Sequence, residues 1–527
     1  MTANERVTVS ILETSDIHGN IFPINYGNNE KMNVGLGKIA TLIKQERQKS
    51  KYTVLVDNGD LIQGTPLMYH YVRNQKDKKN PMILLLNKLR YDAAIIGNHE
   101  FNYGLDTLKA AVEQSYFPWL SANILDQGTN KPFFGKPYTI KTFENGLKIA
   151  IFGVTTHYIP NWESEMNIKG LQFENALEST KQWVAYIRQQ EQPDLLIVSY
   201  HGGFERDLET GEVTEALTTE NQGYQICQEV AGIDVLLTGH QHRSISSKEI
   251  NGVTVVQPSF NGQALGKVTI IFERRDDGWV INNKSSELLS TENVVPDQEV
   301  LTLSKLYEQQ TQSWLDQPIG KIIGDMTVQD ALDVRIKDHP LIEFINKVQM
   351  EVAGVEISNT ALFHNQSPGF GENVTMRDIV SNYVYPNTLK VVRISGQDIK
   401  DALEKSASYF KIDNNGDIAV NPQFSEPKPQ HYNYDMWEGI KYKLNISRSI
   451  GKRVVKLDYK GMPMNMAAQF DVVMNNYRAG GGGEYTMYQN KPVIKEIQMD
   501  MSELLANYIL ERGVIEATVN HNWEVTW

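Results

Sequence analysis

Five short polar clusters constrain the fold of this 527-residue chain most strongly, because each closely follows an apolar, β-branched segment. Helix-like stretches separate these segments, and this alternation of candidate strands and helices over the first half of the chain is typical of an α/β domain. The candidate strands are Val7–Leu12, Tyr52–Val56, Ala93–Ile96, Lys148–Val154, Leu195–Ser199 and Val235–Thr238. The polar clusters are Asp16–Gly19, Gly59–Asp60, Gly97–Glu100, His201–Gly203 and Gly239–His242.

The clusters bring together side chains that bind metal ions. In an open α/β sheet the carboxyl ends of the strands line one crevice, so we expect the clusters to converge. Oxygen and imidazole donors suit divalent ions such as Mn²⁺, Zn²⁺, Fe or Co²⁺, and a single cysteine, Cys227, excludes a multi-cysteine zinc site. The side chains are too many for one ion, so we expect two ions bridged by a carboxylate, for which Asp60 is the natural candidate. The polar side chains concerned are Asp16, His18, Asp60, Asn98, His99, His201, His240 and His242.

Each cluster also has an ordinary interpretation. A lone histidine after a strand is more often a hydrogen-bonded loop residue, and Asn98 after Gly97 could simply tolerate a left-handed turn. The joint pattern favours a metal centre, because five of the eleven histidines occupy Gly-flanked positions at strand ends.

Composition restricts the partners of the chain. With 51 Lys and Arg against 64 Asp and Glu, the formal net charge is −13, which disfavours binding to nucleic acid polymers or anionic membranes. No apolar run reaches the roughly 18 residues that a membrane-spanning helix needs. The first residues lack an export-signal pattern, so we expect a cytoplasmic protein as written, with the mature form of an exported protein as the alternative. We also expect a monomer.

The motif series resembles that of the calcineurin-like metallophosphoesterases, and the resemblance extends over nearly the whole chain to the two-domain 5'-nucleotidase family. It implies an α/β fold with a four-layer sandwich domain at residues 1–297, followed by a smaller α+β nucleotide-binding domain at residues 319–527. Residues 298–318 would form a linker helix or hinge. One metal ion would be held by Asp16, His18, Asp60 and His242, and the other by Asp60, Asn98, His201 and His240.

Two motifs in the second half resemble the aromatic motifs with which this family sandwiches a nucleotide base. They are Tyr385–Thr388 and Asn475–Gly480. The resemblance makes Tyr385 and Tyr477 the stacking residues, with Asn387 and Arg478 as further candidates for substrate binding. Without the resemblance, both tyrosines would be interpreted as ordinary core or turn aromatics.

Two departures favour one branch of the family, the bifunctional 2',3'-cyclic-nucleotide 2'-phosphodiesterases/3'-nucleotidases. Asn102 stands where the 5'-nucleotidase branch carries an aspartate beside its catalytic histidine, and the stretch from Asn359 to Asn373 contains no Arg or Lys. His99 would then donate a proton to the departing ribose oxygen during metal-assisted phosphoester hydrolysis. The alternatives are a 5'-nucleotidase, a metallophosphoesterase for another phosphate ester and a non-catalytic nucleotide sensor. The metal and the base preference remain open.

Overall fold

The computed structural model describes residues 5–527 except positions 216, 277, 386, 427 and 498. The chain divides into two compact units, Met1–Thr311 and Gln312–Trp527. Helix Gln298–Leu315 contains the division and covers most of the segment predicted as a linker helix. A hinge role for that segment stays a prediction.

The first unit contains two six-stranded sheets, ordered β14-β13-β1-β2-β3-β4 and β11-β12-β10-β9-β7-β6. A short ribbon of β5 and β8 accompanies them. The strands are β1 (Arg6–Thr14), β2 (Tyr52–Asp57), β3 (Ala93–Ile95), β4 (Trp119–Leu120), β5 (Ile124–Asp126), β6 (Tyr138–Thr142), β7 (Lys148–Thr155), β8 (Leu171–Phe173), β9 (Leu195–His201), β10 (Val235–Thr238), β11 (Ser244–Ile250), β12 (Val253–Pro258), β13 (Ala264–Arg275) and β14 (Gly278–Ser290). The helices are α1 (Leu36–Lys49), α2 (Pro66–Asn74), α3 (Pro81–Leu89), α4 (Leu105–Gln114), α5 (Ala176–Gln190), α6 (Gly223–Glu229) and α7 (Gln298–Leu315).

The two sheets face each other across an apolar core. Alternate residues of β1, such as Val9 and Ile11, pack in this core with Ile151 of β7 and Ile197 of β9, because successive side chains of a strand point to opposite faces. Helix α1 contacts β13 of the first sheet, and α5 contacts β7 of the second. The unit is therefore a four-layer α/β sandwich, as expected from the resemblance.

Strand direction positions the polar clusters. Strands β1, β2, β3 and β4 run parallel, and so do β7, β9, β10 and β12. In the first sheet Leu12 lies opposite Leu55, so β1 and β2 end level with each other. In the second sheet Thr238 lies opposite Tyr200, which brings the ends of β9 and β10 side by side. The loops after these strands carry the clusters.

The second unit is an α+β structure built on a five-stranded sheet, ordered β23-β17-β27-β20-β28. Smaller sheets of three and four strands, ordered β19-β15-β29 and β26-β25-β24-β30, and the pairs β16-β18 and β21-β22 complete it. Its strands are β15 (Pro318–Ile323), β16 (Met326–Thr327), β17 (Ile357–Ala361), β18 (Gly369–Phe370), β19 (Asn373–Thr375), β20 (Leu389–Ser395), β21 (Phe410–Ile412), β22 (Ile418–Val420), β23 (Asp435–Glu438), β24 (Lys441–Asn445), β25 (Val454–Tyr459), β26 (Met462–Pro463), β27 (Gln469–Asn475), β28 (Val493–Ile497), β29 (Val514–Glu516) and β30 (Trp523–Thr526). Its helices are α8 (Ala331–Ile336), α9 (Pro340–Ala353), α10 (Met376–Asn382), α11 (Gly396–Ala407), α12 (Asn476–Ala479) and α13 (Met501–Arg512).

Local sequence explains where several helices begin. The Ser395 hydroxyl accepts a hydrogen bond from the Asp398 backbone N–H, and the Asp398 carboxylate accepts one from the Ser395 backbone N–H, which forms a capping box at the start of α11. Asn80 caps α3, with Pro81 at its first position. Among the described residues, none of the helices combines the length and apolar character required to cross a lipid bilayer.

Candidate active site

The predicted metal-binding side chains of the first unit lie together at the carboxyl ends of its strands. Backbone hydrogen bonds join the loops that carry them: the Asp16 N–H donates to the Gly59 carbonyl at 2.9 Å, and the His18 N–H donates to the Asp60 carbonyl at 2.8 Å. The His240 N–H donates to the Asp16 carboxylate at 3.0 Å. Loops distant in sequence are thus fixed against one another by the backbone.

Five of these residues have left-handed backbone conformations. They are Asp16 (φ 52°), His18 (φ 49°), Asp60 (φ 55°), His240 (φ 66°) and His242 (φ 58°). Such conformations cost non-glycine residues about 1–3 kcal/mol each and cluster at functional sites. Gly97 permits the close packing that results, because a Cβ there would lie 2.4 Å from Oδ1 of Asp60. The sharp turns direct the polar side chains into one pocket.

A first group of possible ligands consists of Asp16, His18 and His242. The Nε2 atoms of His18 and His242 are 3.2 Å apart, and Nε2 of His242 lies 3.4 Å from Oδ1 of Asp16. Ser15 donates a hydrogen bond to the other Asp16 oxygen at 2.5 Å. The ring of His242 stacks on Phe260 at 4.6 Å, which holds the imidazole in place.

A second group consists of Asp60, His201 and His240, and Asn98 lies among them. Oδ1 of Asn98 is 3.1 Å from Nε2 of His201 and 2.9 Å from Nδ1 of His240. Oδ2 of Asp60 lies 3.3 Å from Nε2 of His201 and 4.0 Å from Nε2 of His18. Asp60 therefore stands between the two groups, which is the position that a bridging carboxylate would need.

The donor chemistry of the second group fits a divalent cation. Nδ1 of His201 lies 2.6 Å from the Asn58 carbonyl oxygen, which can only accept, so Nδ1 carries the proton and Nε2 offers its lone pair. That lone pair faces Oδ2 of Asp60 and Oδ1 of Asn98. Three electron-rich atoms converge on one point, and a cation bound there would satisfy all three. Imidazole, amide and carboxylate ligands are compatible with Mn²⁺, Zn²⁺, Fe or Co²⁺.

The electrostatics of the pocket also favour positive charge. Burial alone would raise the pKa values of Asp16 and Asp60, but neighbouring histidines, chiefly His242 for Asp16 and His201 for Asp60, hold both pKa values below the usual range. Burial would lower the pKa of His201, but the Asp60 carboxylate outweighs burial and raises it to about 10, so this position attracts positive charge, which a bound cation would supply in place of the proton on Nε2. Two ionised carboxylates with 1% or less of their surface exposed need compensating charge.

His99 lies beside the two groups. Its backbone N–H donates to Oδ1 of Asp60 at 2.8 Å, and its ring centroid is 5.3 Å from that of His18. Nδ1 of His99 lies 2.6 Å from Oδ1 of Asn102, so Asn102 is hydrogen-bonded to the His99 ring. Asn102 in turn donates a hydrogen bond to Oε2 of Glu163 at 2.6 Å.

Several supporting residues could not be identified from the sequence. Glu220 contacts Nε2 of His240 at 2.9 Å, and Trp162 stacks on the same ring. Glu100 is buried and accepts backbone hydrogen bonds from Asp60, Leu61, Ile62 and Gly97. Of these residues only Glu100 could be noticed in the sequence, because it belongs to one of the five polar clusters. Glu163, Glu220 and Trp162 come from loops without periodicity.

In the second unit, the two predicted stacking tyrosines both contact a third tyrosine. The ring centroid of Tyr432 is 6.1 Å from that of Tyr385 and 6.2 Å from that of Tyr477, with an interplanar angle of 77° in both cases. Phe363 contacts Tyr385 edge to face at 5.6 Å. Gly482 packs against the Tyr477 ring, where a Cβ would lie 2.5 Å from the ring. Tyr432 was not predicted, and Pro386 of the first aromatic motif lies outside the described residues.

Arg478 and Asn387, the further candidates for substrate binding, make contacts within the protein. Arg478 is 1% exposed and pairs with Asp435 at 2.7 Å, and its guanidinium also donates to the carbonyls of Gly482 and Tyr432. This network ties together the segments that carry Tyr432 and Tyr477. Asn387 accepts at its carbonyl from the Met501 N–H at 2.8 Å, at the start of α13. These contacts are structural, and substrate binding by Arg478 and Asn387 stays a prediction.

Family models match both units. The calcineurin-like phosphoesterase family matches residues 9–244, and the 5'-nucleotidase C-terminal domain matches residues 318–490. Calcineurin-like metallophosphoesterases use a dinuclear divalent metal centre, in agreement with the two groups of donors.

Individual relatives agree with these matches. The 2',3'-cyclic-nucleotide 2'-phosphodiesterase/3'-nucleotidase of Salmonella typhimurium is 30% identical, with 90% of this chain and 82% of that protein covered. The trifunctional nucleotide phosphoesterase YfkN of Bacillus subtilis is 30% identical over 99% of this chain, which spans only 39% of the length of that protein. A Staphylococcus aureus structure in complex with alpha-ketoglutarate, provisionally named a 5'-nucleotidase, has 33% identity and a TM-score of 0.89, with 99% of this chain and 100% of that one covered.

Proposed function

The chain belongs to the two-domain 5'-nucleotidase family of calcineurin-like metallophosphoesterases, which are hydrolases of phosphoric esters, and on this premise we propose that it acts on 2',3'-cyclic nucleotides and 3'-nucleotides. It would open the cyclic ester to a 3'-phosphate and then release the nucleoside and phosphate. One observation carries the proposal: the His99 backbone N–H donates a 2.8 Å hydrogen bond to Asp60, the carboxylate between the two groups of predicted metal ligands.

The choice of branch is supported by two features of the chain. Asn102 occupies the place beside His99 that an aspartate has in the 5'-nucleotidase branch. In the second unit, residues 359–373 contain no Arg or Lys. Arg335 lies against this stretch, but it is 1% exposed and donates to the Leu362 carbonyl and to Oδ1 of Asn365. It is therefore engaged within the protein.

The metal-binding side chains would divide as two sets that share Asp60. Asp16, His18 and His242 would complete one set, and Asn98, His201 and His240 the other. A pair of divalent cations held there supplies charge neutralisation at the phosphate and activates water as a nucleophile. The buried carboxylates fix the positions of both sets before substrate arrives, which is the preorganisation that electrostatic catalysis needs.

His99 would act as the general acid. Because Oδ1 of Asn102 accepts from Nδ1, the other ring nitrogen, Nε2, remains to exchange a proton with the substrate. In the first step water attacks phosphorus, the bond from phosphorus to the ribose O2' breaks, and His99 donates its Nε2 proton to that oxygen. His99 then regains a proton from solvent; in the second step another water attacks phosphorus, the bond from phosphorus to O3' breaks, and O3' receives the Nε2 proton in the same way.

The aromatic residues of the second unit would bind the nucleotide base. Tyr385 and Tyr477 are the proposed stacking residues, and Tyr432 lies perpendicular to both. Every base has a π face, so stacking contributes about 1–3 kcal/mol with little regard to base identity. We therefore expect a broad base specificity.

A substrate panel tests the proposal. Purified protein would be assayed with 2',3'-cyclic AMP, 3'-AMP, 5'-AMP and bis-p-nitrophenyl phosphate, with Mn²⁺, with Zn²⁺ and after chelation. The expected result is metal-dependent turnover of the first two nucleotides, with kcat/KM for 5'-AMP at least about tenfold lower. Preference for 5'-AMP would indicate a 5'-nucleotidase, and turnover of the aryl ester alone would indicate another phosphate ester. Nucleotide binding without any turnover would indicate a sensor.

A further inference from the structure

Three side chains of the first unit form a hydrogen-bonded series that ends in a buried carboxylate. Nδ1 of His99 lies 2.6 Å from Oδ1 of Asn102, and Nδ2 of Asn102 donates to Oε2 of Glu163 at 2.6 Å. Glu163 follows Asn102 by 61 residues, so no local motif links them. The series places a carboxylate behind the asparagine that replaces the family's aspartate.

The hydrogen-bonding chemistry of the three groups determines which atom donates and which accepts at each step of the series. The Glu163 side chain receives hydrogen bonds on both oxygens, and its Oε2 accepts from the NH₂ group of Asn102, which therefore faces it. That orientation turns Oδ1 of Asn102 toward His99. Because this oxygen also only accepts, Nδ1 of His99 must carry a hydrogen.

Burial and hydrogen bonds hold the Glu163 side chain in place. Its side chain is 7% exposed. Its other oxygen, Oε1, accepts from the Ser164 N–H at 2.7 Å and from Nδ2 of Asn167 at 3.0 Å. With donors on both oxygens, the carboxylate cannot rotate without losing hydrogen bonds, and its orientation is set by the fold.

We propose that Glu163 is a positioning residue that orients the Asn102 amide and thereby fixes the tautomer of His99, leaving Nε2 for proton transfer to the leaving oxygen. The inference rests on the proposed role of His99 in phosphoester hydrolysis. It assigns to two residues, Asn102 and Glu163, the task that a single aspartate has in the 5'-nucleotidase branch.

The substitution Glu163→Gln tests the positioning role of Glu163, because glutamine has nearly the same shape as glutamate. A glutamine offers only one acceptor oxygen, so it must place an NH₂ group either against Asn102 or against the donors Ser164 N–H and Asn167. In either arrangement the Asn102 amide is held less firmly in its orientation. Glu165→Gln is the matched control, because Glu165 is two residues away in the same loop and is exposed.

The decisive readout is the dependence on the leaving group. A ribose or phenol oxygen needs a proton as it departs, whereas p-nitrophenolate leaves without one. We expect Glu163→Gln to lower kcat for 3'-AMP and phenyl phosphate at least about tenfold, and to change kcat for p-nitrophenyl phosphate by less than about threefold. KM and the metal content should stay near the wild-type values, and Glu165→Gln should match the wild type throughout.

A compensating change provides a second test. Asn102→Asp alone would set two carboxylates 2.6 Å apart, and we expect low activity on 3'-AMP. Combined with Glu163→Gln, the new aspartate can accept from both Nδ1 of His99 and the glutamine amide. We expect the double variant to recover activity to within about threefold of the wild type.

The outcomes separate this inference from the proposed function. Equal losses for phenyl and p-nitrophenyl phosphate, or no loss for either, would overturn the role of Glu163, and so would a failure of the double variant to recover. If the wild type hydrolysed aryl phosphates but no nucleotide, the proposed function would fail. The losses in kcat for phenyl and p-nitrophenyl phosphate would still test the role of Glu163. Should Glu163→Gln not fold, ¹⁵N spectra of histidine-labelled wild type, assigned with His99→Gln, would still decide: a His99 without hydrogen on Nδ1 contradicts the inference.

Discussion

The carboxylate of Glu220 lies 2.9 Å from Nε2 of His240, while Nδ1 of the same ring lies 2.9 Å from Oδ1 of Asn98. A carboxylate on the far side of a ligating imidazole fixes its orientation and increases its basicity. The loop between β9 and α6 supplies Glu220, so this loop contributes to the proposed metal centre although none of its residues was predicted to do so.

Substitution Glu220→Gln should weaken binding of the second metal ion about tenfold or more, because the amide is a poorer hydrogen-bond acceptor for the imidazole N–H. The measurement is the metal concentration that restores half-maximal activity after chelation, together with the metal content per chain. Glu212→Gln in the same loop is exposed and serves as the control. An unchanged metal dependence would contradict the assignment of Glu220.

Substitution His99→Ala should lower kcat for nucleotides at least about a hundredfold, since general acid catalysis contributes roughly 10²–10⁴-fold. The metal content should stay near two ions per chain, because the side chain of His99 is not among the predicted ligands. Activity assays and elemental analysis of the same preparation check both points. Turnover equal to that of the wild type would remove His99 from the mechanism.

The combined substitution of Tyr385→Ala and Tyr477→Ala should raise KM for 3'-AMP about tenfold or more and leave the kinetics of bis-p-nitrophenyl phosphate nearly unchanged. The two rings are proposed to stack on the base, and the aryl ester has no base to bind. Steady-state kinetics with both substrates make the comparison within one preparation. Parallel losses on both would indicate that the tyrosines support the fold instead.

Substitution Glu438→Gln should stabilise the protein at alkaline pH. Burial, together with nearby Asp338 and Glu343, raises the pKa of Glu438 to about 7. Between the ordinary value of 4.5 and pH 7 the folded chain binds more protons than the unfolded chain, so this group lowers the free energy of unfolding as pH rises. Glutamine does not titrate, so it removes this loss of stability at high pH. We expect the free energy of unfolding to rise by about 1–3 kcal/mol at pH 8 and to change little at pH 4.

Calorimetric unfolding of the full chain at both pH values checks this expectation. Glu372→Gln is the control, since Glu372 is exposed and lies in the same unit. Equal Tm shifts for the two substitutions, or a gain at pH 4 as large as that at pH 8, would show that titration of Glu438 is not the cause.

Sequence patterns and the family resemblance named the predicted ligands, and the structure brings most of these side chains into two groups. Asp16 and His242 are 226 residues apart, yet their Oδ1 and Nε2 atoms are 3.4 Å from each other. Each follows a recognisable strand, but these strands, β1 and β10, belong to different sheets, so the packing of the two sheets in the fold brings the two residues together. The α/β class of the first unit and the α+β second unit were predicted for similar reasons, from strand and helix patterns and the resemblance that the motifs carry.

Residues that act through loops could not be predicted in this way. Nothing in the sequence pairs Glu163 with Asn102 or Glu220 with His240, because loop conformations follow from long-range packing and leave no periodic signal. Arg478 is a further example: its motif predicted a substrate contact but gave no sign of Asp435 of β23, which the fold sets against it at 2.7 Å. A buried guanidinium needs such a partner, and its identity depends on which strand lies nearby.

By itself, the sequence indicated which side chains could bind two metal ions, because the position of a residue after a strand is a local property. The tertiary structure alone decided the partners of those side chains: Asn102 and Glu163 for His99, Glu220 for His240, and Asp435 for Arg478. Hydrogen-bond partners of this kind depend on distances of a few ångströms between distant segments, and only the packing of the whole fold sets those distances.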